Sequence, residues 1–190
     1  MNSHERVLSA MRGEQPDRVP VIESSVDEKV RSALFPESIE TGAFADAIGL
    51  DNVSSGIEFQ RRNEKPGSYY DEWGVFYRRS AEANDHPVKG PIEKREDLKT
   101  FVPPDPEAPW RLGILPDLVQ HWRGNKAVIL HHRADFMWSA YLVGLDNLLL
   151  YFAADPGFAH ELMDVVVDVN IAMIRRAIRA GADIVTLGDD

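Results

Sequence analysis

The chain has 190 residues, 44% of them hydrophobic and 27% charged, enough for one core but fewer than the about 250 residues of a complete (β/α)8 barrel. Its 31 acidic and 21 basic residues give a formal charge of −10, which disfavours nucleic acid as a partner because no excess of Lys and Arg can displace counterions. There is no cysteine, so these residues offer neither a disulfide nor a thiolate for metal binding or nucleophilic attack.

The amino-terminal residues predict a helix and not a secretory leader. Residues 1–13 are polar and of mixed charge, and the apolar side chains recur at helical spacing until Gly13. The longest unbroken apolar run of the whole chain, 148–154, is far too short to span a bilayer. We therefore expect a cytoplasmic protein without a membrane partner.

The next segments predict a strand followed by two helices. The β-branched residues within 19–22 favour a first strand, and Glu23 lies just past its end. Helices are predicted over 26–34 and 42–48, the second ended by a glycine. Glu23 is thereby the first polar side chain expected at a strand end.

The pattern between residues 51 and 109 is irregular. The alternation over 69–79 predicts a hairpin, and 93–100 could form two helical turns. Aromatic residues are frequent and no Gly/Ser run occurs, so this stretch is not a flexible linker. We interpret about 51–109 as a structured insertion into the main fold.

Strands and helices alternate in the last third of the chain. Helices are predicted over 112–123, 135–143, 146–152 and 156–180, and strands over 127–130 and 182–187. The longest helix carries an apolar face wide enough to cover a sheet. A strand, a helix and a further strand joined by short connections predict an α/β fold with a parallel sheet and a right-handed crossover.

Polar residues follow each predicted strand. Glu23 follows the first, His131 and Arg133 follow the second, and Asp189 with Asp190 follow the third. A closed parallel barrel brings such strand ends to one mouth, where catalytic groups lie. Asp189 and Asp190 are our catalytic candidates as an acid/base pair, although Gly-Asp-Asp is also an ordinary turn at the end of a strand.

Each other candidate has a structural alternative. Of His131 and His132, one side chain should enter the mouth and the other pack beneath a helix, so we expect no metal site from this pair. Arg133 either binds a substrate carboxylate or neutralises a neighbouring aspartate. An aromatic set that includes Trp138 either lines a pocket for a flat ligand or fills the core. Its members are Trp73, Phe76, Tyr77, Phe136, Trp138 and Tyr141.

Two motifs and the carboxyl-terminal residues resemble a known family. The opening HERVLSAMRGEQPDRVPV of residues 4–21 resembles the start of uroporphyrinogen decarboxylase-like proteins. The Asp-Glu-Trp-Gly element of residues 71–74 and the closing residues 181–183 and 188–190 are similar to later landmarks of that family. The resemblance covers the whole chain and implies a TIM (β/α)8 barrel of which residues 1–190 form the amino-terminal half.

The resemblance is greater to one branch of the family than to the decarboxylases themselves. True decarboxylases carry an arginine-rich Met-Arg-Gln-Ala-Gly-Arg segment after the first strand to hold the carboxylates of the porphyrinogen. Here that place reads Glu-Ser-Ser-Val-Asp-Glu at 23–28, which would repel them. The element at 71–74 looks more like that of the corrinoid-linked methyltransferases, which move a methyl group between a corrinoid protein and a small molecule.

For an enzyme of this branch we assign hypothetical roles to the candidate residues, from their shared position at strand ends and, for Trp138, from the aromatic set. Asp189 and Asp190 would orient or protonate the substrate. Glu23 and His131 would contribute hydrogen bonds, while Arg133 would hold an anionic group of the small-molecule substrate and Trp138 would line its pocket.

The branch also implies cofactors outside this segment. In thiol-methylating members, zinc is held by His and Cys of the second half of the barrel, so we expect zinc only through residues beyond 190 and the corrinoid on a partner protein. Two alternatives remain: decarboxylation of a tetrapyrrole, and a non-catalytic half-barrel or truncated fragment. A half-barrel would expose an edge strand and apolar inner faces, so we expect it to dimerise, aggregate or be partly disordered, and a homo-oligomer is one of these outcomes.

Overall fold

The computed structural model describes residues 1–37, 39–81 and 84–189, which divide into two compact units. Unit 1 comprises residues 1–57, 112–132 and 174–186. Unit 2 comprises residues 58–111, 133–173 and those from 187 onwards.

Helices and strands alternate along most of the described chain. The helices are α1 (Ser3–Met11), α2 (Glu28–Leu34), α3 (Thr41–Ala47), α4 (Leu115–Trp122), α5 (Asp135–Val143), α6 (Leu145–Ala154) and α7 (Pro156–Ala180), with a 3₁₀ helix at Arg95–Lys99. The strands are β1 (Asn52–Gly56), β2 (Arg62–Lys65), β3 (Ser68–Tyr70), β4 (Phe76–Arg78), β5 (His86–Lys89), β6 (Ala127–Arg133) and β7 (Ile184–Gly188). They form one sheet of order β1-β6-β7 and another of order β2-β3-β4-β5.

The three-stranded sheet is parallel. Every residue of β1 pairs in parallel with β6. The backbone N–H of Asp183 donates to the carbonyl of Val128. Further along both strands, the backbone N–H of Ala134 donates to the carbonyl of Gly188. The order of these two hydrogen bonds shows that β7 also runs parallel to β6. The α/β class and the parallel sheet predicted from the sequence are confirmed.

The core of unit 1 lies on both faces of β6. Val128 and Leu130 pack into a cluster with side chains of α3, α4 and the end of α7. Ala127 and Ile129 point to the opposite face and pack against Val7 of α1. Because both faces of β6 are covered, its residues 127–130 are all apolar. This continuous apolar run made the strand recognisable in the sequence.

The first strand predicted from the sequence is wrong. Residues 19–22 are not a strand, and the first strand of the sheet is β1, inside the stretch predicted to be irregular. The backbone of Val21 instead bonds to one residue: its N–H donates to Asp51 Oδ2 at 2.8 Å, and its carbonyl accepts from the backbone N–H of Asp51 at 2.8 Å. Pro20 has no N–H to donate to a ladder, which explains why the β-branched residues here form no strand.

Unit 2 contains the antiparallel sheet. The hairpin predicted over 69–79 is confirmed as β3 and β4, with Tyr69 opposite Tyr77. After β5, Gly90 passes so close to α5 that a Cβ atom would lie 1.9 Å from the carbonyl oxygen of Leu142. The backbone N–H of Ile92 donates to the same carbonyl at 3.1 Å, which fixes this segment against the end of the helix.

Two short helices and one long helix follow β6. Gly144 separates α5 from α6 with a φ of 88°, and the two helices differ in direction by 102°. In the described part of the chain no single helix is long and apolar enough to cross a membrane; only this bent pair, taken together, has the length and composition. The 25-residue α7 begins where predicted, with Asp155 Oδ1 accepting the backbone N–H of Phe158 at 3.1 Å.

The glycine between α7 and β7 gives a test of unit 1 packing. Gly181 has a φ of 108°, and a Cβ atom there would lie 2.8 Å from a methyl carbon of Val119. Gly124 has a φ of 88° with nothing within 4 Å, so it serves as the matched control. We expect Gly124→Ala to lower the free energy of unfolding by about 1–2 kcal/mol. Gly181→Ala should cost about 1 kcal/mol more because of overpacking. Urea denaturation measures both, and equal losses would contradict the packing at Val119.

Candidate functional site

The Asp-Glu-Trp-Gly element forms a tight turn between β3 and β4. Asp71 Oδ1 accepts the backbone N–H of Val75 at 2.9 Å, and the N–H of Gly74 donates to the carbonyl of Asp71 at 3.1 Å. Gly74 has a φ of 77°, a conformation that favours glycine. The turn therefore accounts structurally for the Asp and the Gly of the motif.

A buried ion pair holds the second residue of the motif. The guanidinium of Arg111 is fully buried and donates to Glu72 Oε2 at 2.5 Å. It also donates to the backbone carbonyls of Glu58 and Asp105, at 2.5 Å and 2.8 Å. This side chain therefore joins three separate segments of unit 2, and its charge is both paired and hydrogen-bonded, as burial requires.

Aromatic rings surround the third residue of the motif. Trp73 is fully buried and stacks on Trp138, with ring centroids 5.1 Å apart, and Phe59 meets the Trp138 ring edge-on at 5.1 Å. Among the described residues, neither indole N–H has a hydrogen-bond acceptor. The aromatic set predicted from the sequence is thus partly core.

Trp138 also lines a cavity of about 260 Å³ within unit 2. We call this the Arg133 cavity; it is lined by Phe59, Arg61, Tyr69, Asp71, Tyr77, Asn84, Asp85, Arg133 and Trp138. Arg133 is the last residue of β6, and Trp138 lies in the first turn of α5 that follows. The carboxyl end of a parallel strand is the usual place for ligands in α/β folds, so this cavity is the candidate functional site.

The Arg133 cavity contains a carboxyl group with a perturbed proton affinity. Burial raises the pKa of Asp71 to about 6, against the opposing effects of the N–H of Val75 and the hydroxyl of Tyr77, which donates to it. Burial and the Asp71 charge raise the pKa of Tyr77 in turn. A carboxyl that titrates near neutral pH beside a phenol is a candidate for acid/base chemistry.

Two further groups in the cavity are coupled. Burial and a hydrogen bond to Asp85 raise the pKa of Tyr69 to about 12. The guanidinium of Arg61 lies over the Tyr69 ring, 4.5 Å from its centroid, and 3.8 Å from Asp85 Oδ2. This arginine is therefore already engaged by the protein.

Arg133 differs from Arg61 in its surroundings. Its guanidinium carbon lies 5.7 Å from the centroid of the Tyr141 ring, and within the described ranges it forms no ion pair. The alternative prediction is that Arg133 neutralises Asp135 or an aspartate at 189–190. Among the described contacts Asp135 accepts from Asn170 and Asp189 accepts from backbone N–H groups, and Asp190 lies outside the described residues. The Arg133 side chain is exposed, which leaves the planar donor group accessible from the cavity.

The structure assigns Asp189 contacts with backbone donors. Its Oδ1 accepts the N–H of Met137 at 2.9 Å and its Oδ2 that of Phe136 at 3.3 Å, so the carboxylate caps the first turn of α5. Asp190, the other predicted catalytic residue, lies outside the described residues. The catalytic role of this pair stays a prediction, and the helix cap is the role that the contacts of Asp189 support.

The remaining predicted site residues lie in unit 1. His131 Nδ1 is 3.0 Å from Thr186 Oγ1, and the His132 side chain is buried. Glu23 is exposed and lines a groove of about 420 Å³, with its backbone N–H donating to Asn52 Oδ1 at 3.1 Å. Of the predicted site residues, the Arg133 cavity brings together Arg133 and Trp138.

Sequence reasoning missed Asp71, Tyr69 and Arg61 as cavity residues. One signal was present: Tyr69 and Asp71 are two residues apart at the end of β3, and such positions share a face of a strand. The proton affinity of Asp71 carried no sequence signal, because it arises from burial among segments distant in the chain.

Comparison with known proteins identifies the family. Residues 80–190, more than half of the chain, match the family model described as uroporphyrinogen decarboxylase (URO-D). The chain belongs to the uroporphyrinogen decarboxylase family. None of the curated proteins matches it. The family resemblance predicted from the sequence is confirmed.

A solved structure shares the fold of this uroporphyrinogen decarboxylase family member. The structure of a methyltransferase from Methanosarcina mazei superposes on 100% of the chain with a TM-score of 0.70 and 12% sequence identity. The chain spans 59% of the length of that methyltransferase. At this level of identity the likeness is one of fold.

The raised pKa of Asp71 predicts how stability depends on pH. The folded state holds the Asp71 proton up to about pH 6 and the unfolded chain only to about pH 4, so stability falls as pH rises between these values. Asp71→Asn keeps the Oδ1 acceptor for Val75 and removes this dependence. Relative to wild type, the variant should gain up to about 3 kcal/mol in the free energy of unfolding between pH 4 and pH 7.

Urea denaturation across this pH range measures the gain. Asp164→Asn is the matched control, because it makes the same substitution at an exposed position on α7. A difference between Asp71→Asn and wild type that does not change with pH would contradict the burial of an ionisable Asp71.

The cap of α5 gives a second prediction. Asp189→Ala removes both acceptors and should lower the free energy of unfolding by about 1 kcal/mol. Asp189→Asn retains an acceptor for Met137 and should lose less than half as much. The denaturation midpoints of the two variants measure these losses. Equal losses of unfolding free energy for Asp189→Ala and Asp189→Asn would show that α5 requires the negative charge and not the hydrogen bond.

Proposed function

We propose that this chain forms part of a methyltransferase that moves a methyl group between a corrinoid protein and a small molecule. The observation that carries the proposal is the Arg133 cavity, whose volume of about 260 Å³ is below the ~300–1,000 Å³ range of sites for drug-sized ligands. It suits a small molecule better than a tetrapyrrole. The fold shared with a methyltransferase agrees with this choice.

The groove at Glu23 also argues against a tetrapyrrole with several carboxylates. Glu23 and Glu28 both line it. Arg31 lines it too, but its guanidinium donates to the carbonyl of Ile39 at 3.0 Å and lies 3.6 Å from Glu28. A polycarboxylate would meet two like charges and one cation that is already paired, so methyl transfer is favoured over tetrapyrrole decarboxylation.

The chemistry proposed for the cavity is binding and proton transfer. When a methyl group leaves an oxygen, nitrogen or sulfur atom, that atom gains an electron pair and needs a proton. Asp71, whose pKa of about 6 leaves a fraction of it protonated near neutral pH, can supply that proton, and the hydroxyl of Tyr77 donates a hydrogen bond to this carboxyl group. Arg133 holds an anionic part of the substrate, and the methyl group is exchanged with the corrinoid of the partner protein.

The architecture proposed for the whole protein is a (β/α)8 barrel. The parallel sheet β1-β6-β7 would supply three of its strands, and residues 1–190 its amino-terminal half. In that barrel Asp189 and Asp190 remain candidates to orient the substrate, with Glu23 and His131 as further hydrogen-bonding groups at the strand ends.

Zinc, which acts in thiol-methylating relatives, does not fit the residues present. The chain has no cysteine, and among the described residues no three His, Asp or Glu side chains lie close enough together to hold a metal ion. We therefore derive no step through zinc for these residues and propose that any zinc ligands lie beyond residue 190.

The test of the proposed function is formation of methylcobalamin by the purified protein. Cob(I)alamin and a panel of methyl ethers, methylamines and methyl thioethers are supplied, and the visible absorbance of the cobalamin is followed. A parallel reaction with uroporphyrinogen is monitored for carbon dioxide. We expect methylcobalamin and no carbon dioxide; carbon dioxide without methylcobalamin would establish the decarboxylase alternative instead.

A tyrosine variant connects the activity to the cavity. Tyr77→Phe removes the hydroxyl that donates to Asp71 and should lower kcat at least about 100-fold. Tyr70→Phe is the matched control, because Tyr70 is exposed and its neighbours in β3 and β4 place it on the face opposite the Tyr69–Tyr77 pair. Equal kcat values for the two variants would remove Tyr77 from the proposed proton transfer.

A further inference from the structure

We infer that Thr186 is a positioning residue that holds the His131 ring in one tautomer, with the proton on Nε2. His131 itself is one of the hydrogen-bonding groups of the proposed methyl transfer. The kinetic consequence therefore rests on the proposed function, whereas the tautomer is a property of the protein alone. Three observations carry the inference: the face of the sheet that both side chains share, the hydrogen bond between them and the open position beside the ring.

His131 and Thr186 lie on the same face of the parallel sheet of unit 1. Alternate residues of a strand share a face, so on β6 His131 follows Ala127 and Ile129. Those two residues pack against α1, and Ile184 of β7 packs against the same cluster. Thr186 lies two residues beyond Ile184 and therefore on this face. The face thus changes from apolar to polar towards the carboxyl ends of β6 and β7.

The hydrogen bond between the two side chains determines which ring nitrogen carries the proton. His131 Nδ1 lies 3.0 Å from Thr186 Oγ1, and both side chains are half-buried. A neutral imidazole has one N–H donor and one acceptor nitrogen, whereas a hydroxyl has a single proton that rotates towards an acceptor. Among the described residues, Nδ1 is the acceptor found for the Thr186 hydroxyl. When the hydroxyl donates to Nδ1, the ring proton lies on Nε2.

The position opposite His131 on β1 leaves the ring open on that side. In the register of the sheet His131 is paired with Gly56, which is exposed. A Cβ atom at Gly56 would have one neighbour within 4 Å in the described part of the chain, the carbonyl oxygen of His131 at 3.7 Å. Gly56 therefore places no side chain between the imidazole and a ligand that approaches from β1.

In the proposed reaction the Nε2–H has a defined task. The atom that loses the methyl group gains an electron pair, and a donor held in place beside that atom stabilises the charge that develops. Thr186 acts through His131 and needs no contact with the substrate. Without the hydroxyl, the neutral ring would divide between two tautomers, of which only one carries the Nε2–H donor.

Nuclear magnetic resonance of the ring nitrogens tests the tautomer directly. Long-range proton–nitrogen correlation spectra of the isotope-labelled protein, at a pH where the imidazole is neutral, distinguish a protonated from an unprotonated ring nitrogen. The His131 signals are those that His131→Gln removes. We expect the Nε2–H tautomer to predominate in the wild-type protein. A ring protonated on Nδ1, or an equal mixture, would overturn the inference even if every Thr186 variant failed to fold.

Threonine variants assign the tautomer to the hydroxyl. Thr186→Val should lower the ratio of Nε2–H to Nδ1–H at least about fivefold, as the loss of a hydrogen bond of ordinary strength does. Thr186→Ser keeps the hydroxyl and should keep the wild-type ratio. Thr100→Val is the matched control, because it makes the same substitution at an exposed position outside this sheet. Equal ratios for Thr186→Val and Thr100→Val would overturn the inference.

Activity separates positioning from a merely structural role. With a methyl donor that supports formation of methylcobalamin, Thr186→Val should lower kcat/KM at least about fivefold, and Thr186→Ser should restore it. In a His131→Gln background there is no ring to orient, so Thr186→Val should have no further effect. Losses that add in the double variant would contradict an action through His131.

Failure of the inference and failure of the proposed function have different signatures. A Thr186-dependent tautomer in a protein that never forms methylcobalamin would support the positioning role and contradict methyl transfer. Methylcobalamin formed by Thr186→Val at the wild-type rate, with an unchanged tautomer, would support methyl transfer and overturn the positioning role.

Discussion

The buried guanidinium of Arg111 is the interaction on which unit 2 depends. It is fully enclosed, and its donors join the carbonyls of Glu58 and Asp105 to the carboxylate of Glu72. Removing one partner of such a pair leaves a buried charge uncompensated, at a cost of about 3–5 kcal/mol. The Arg111–Glu72 ion pair fixes the turn between β3 and β4. This turn sets the positions of Asp71 and Trp73.

The Arg133 cavity follows from that turn. Trp73 supports Trp138 by stacking, and Asp71 is enclosed beside Tyr77, where burial raises its pKa to about 6. The Asp-Glu-Trp-Gly element therefore combines three structural roles with one titratable group. Arg133 lines the same cavity from the end of a parallel strand, so a cation that forms no ion pair with the described residues and a carboxyl group with a pKa of about 6 lie in one site.

The sequence predicted those features whose causes are local. β6 and α7 were recognisable because an apolar run buried on both faces and a helix starting at Asp155 are patterns within a few residues. β1 was missed because its five residues contain one large apolar side chain, and its pairing with β6 makes it a strand. Arg133 was predicted from its place after a strand and Trp138 as one of a set of aromatic residues. The contacts of Asp189 and the pKa of Asp71 depend on tertiary packing that no local pattern encodes.

The most direct test of the central claim is a crystal structure of the protein with the methyl donor that supports formation of methylcobalamin. We expect the donor to lie in the Arg133 cavity, beside Arg133 and Asp71, with no ligand in the groove at Glu23. A donor bound in the groove at Glu23 would contradict the assignment of the Arg133 cavity as the substrate site.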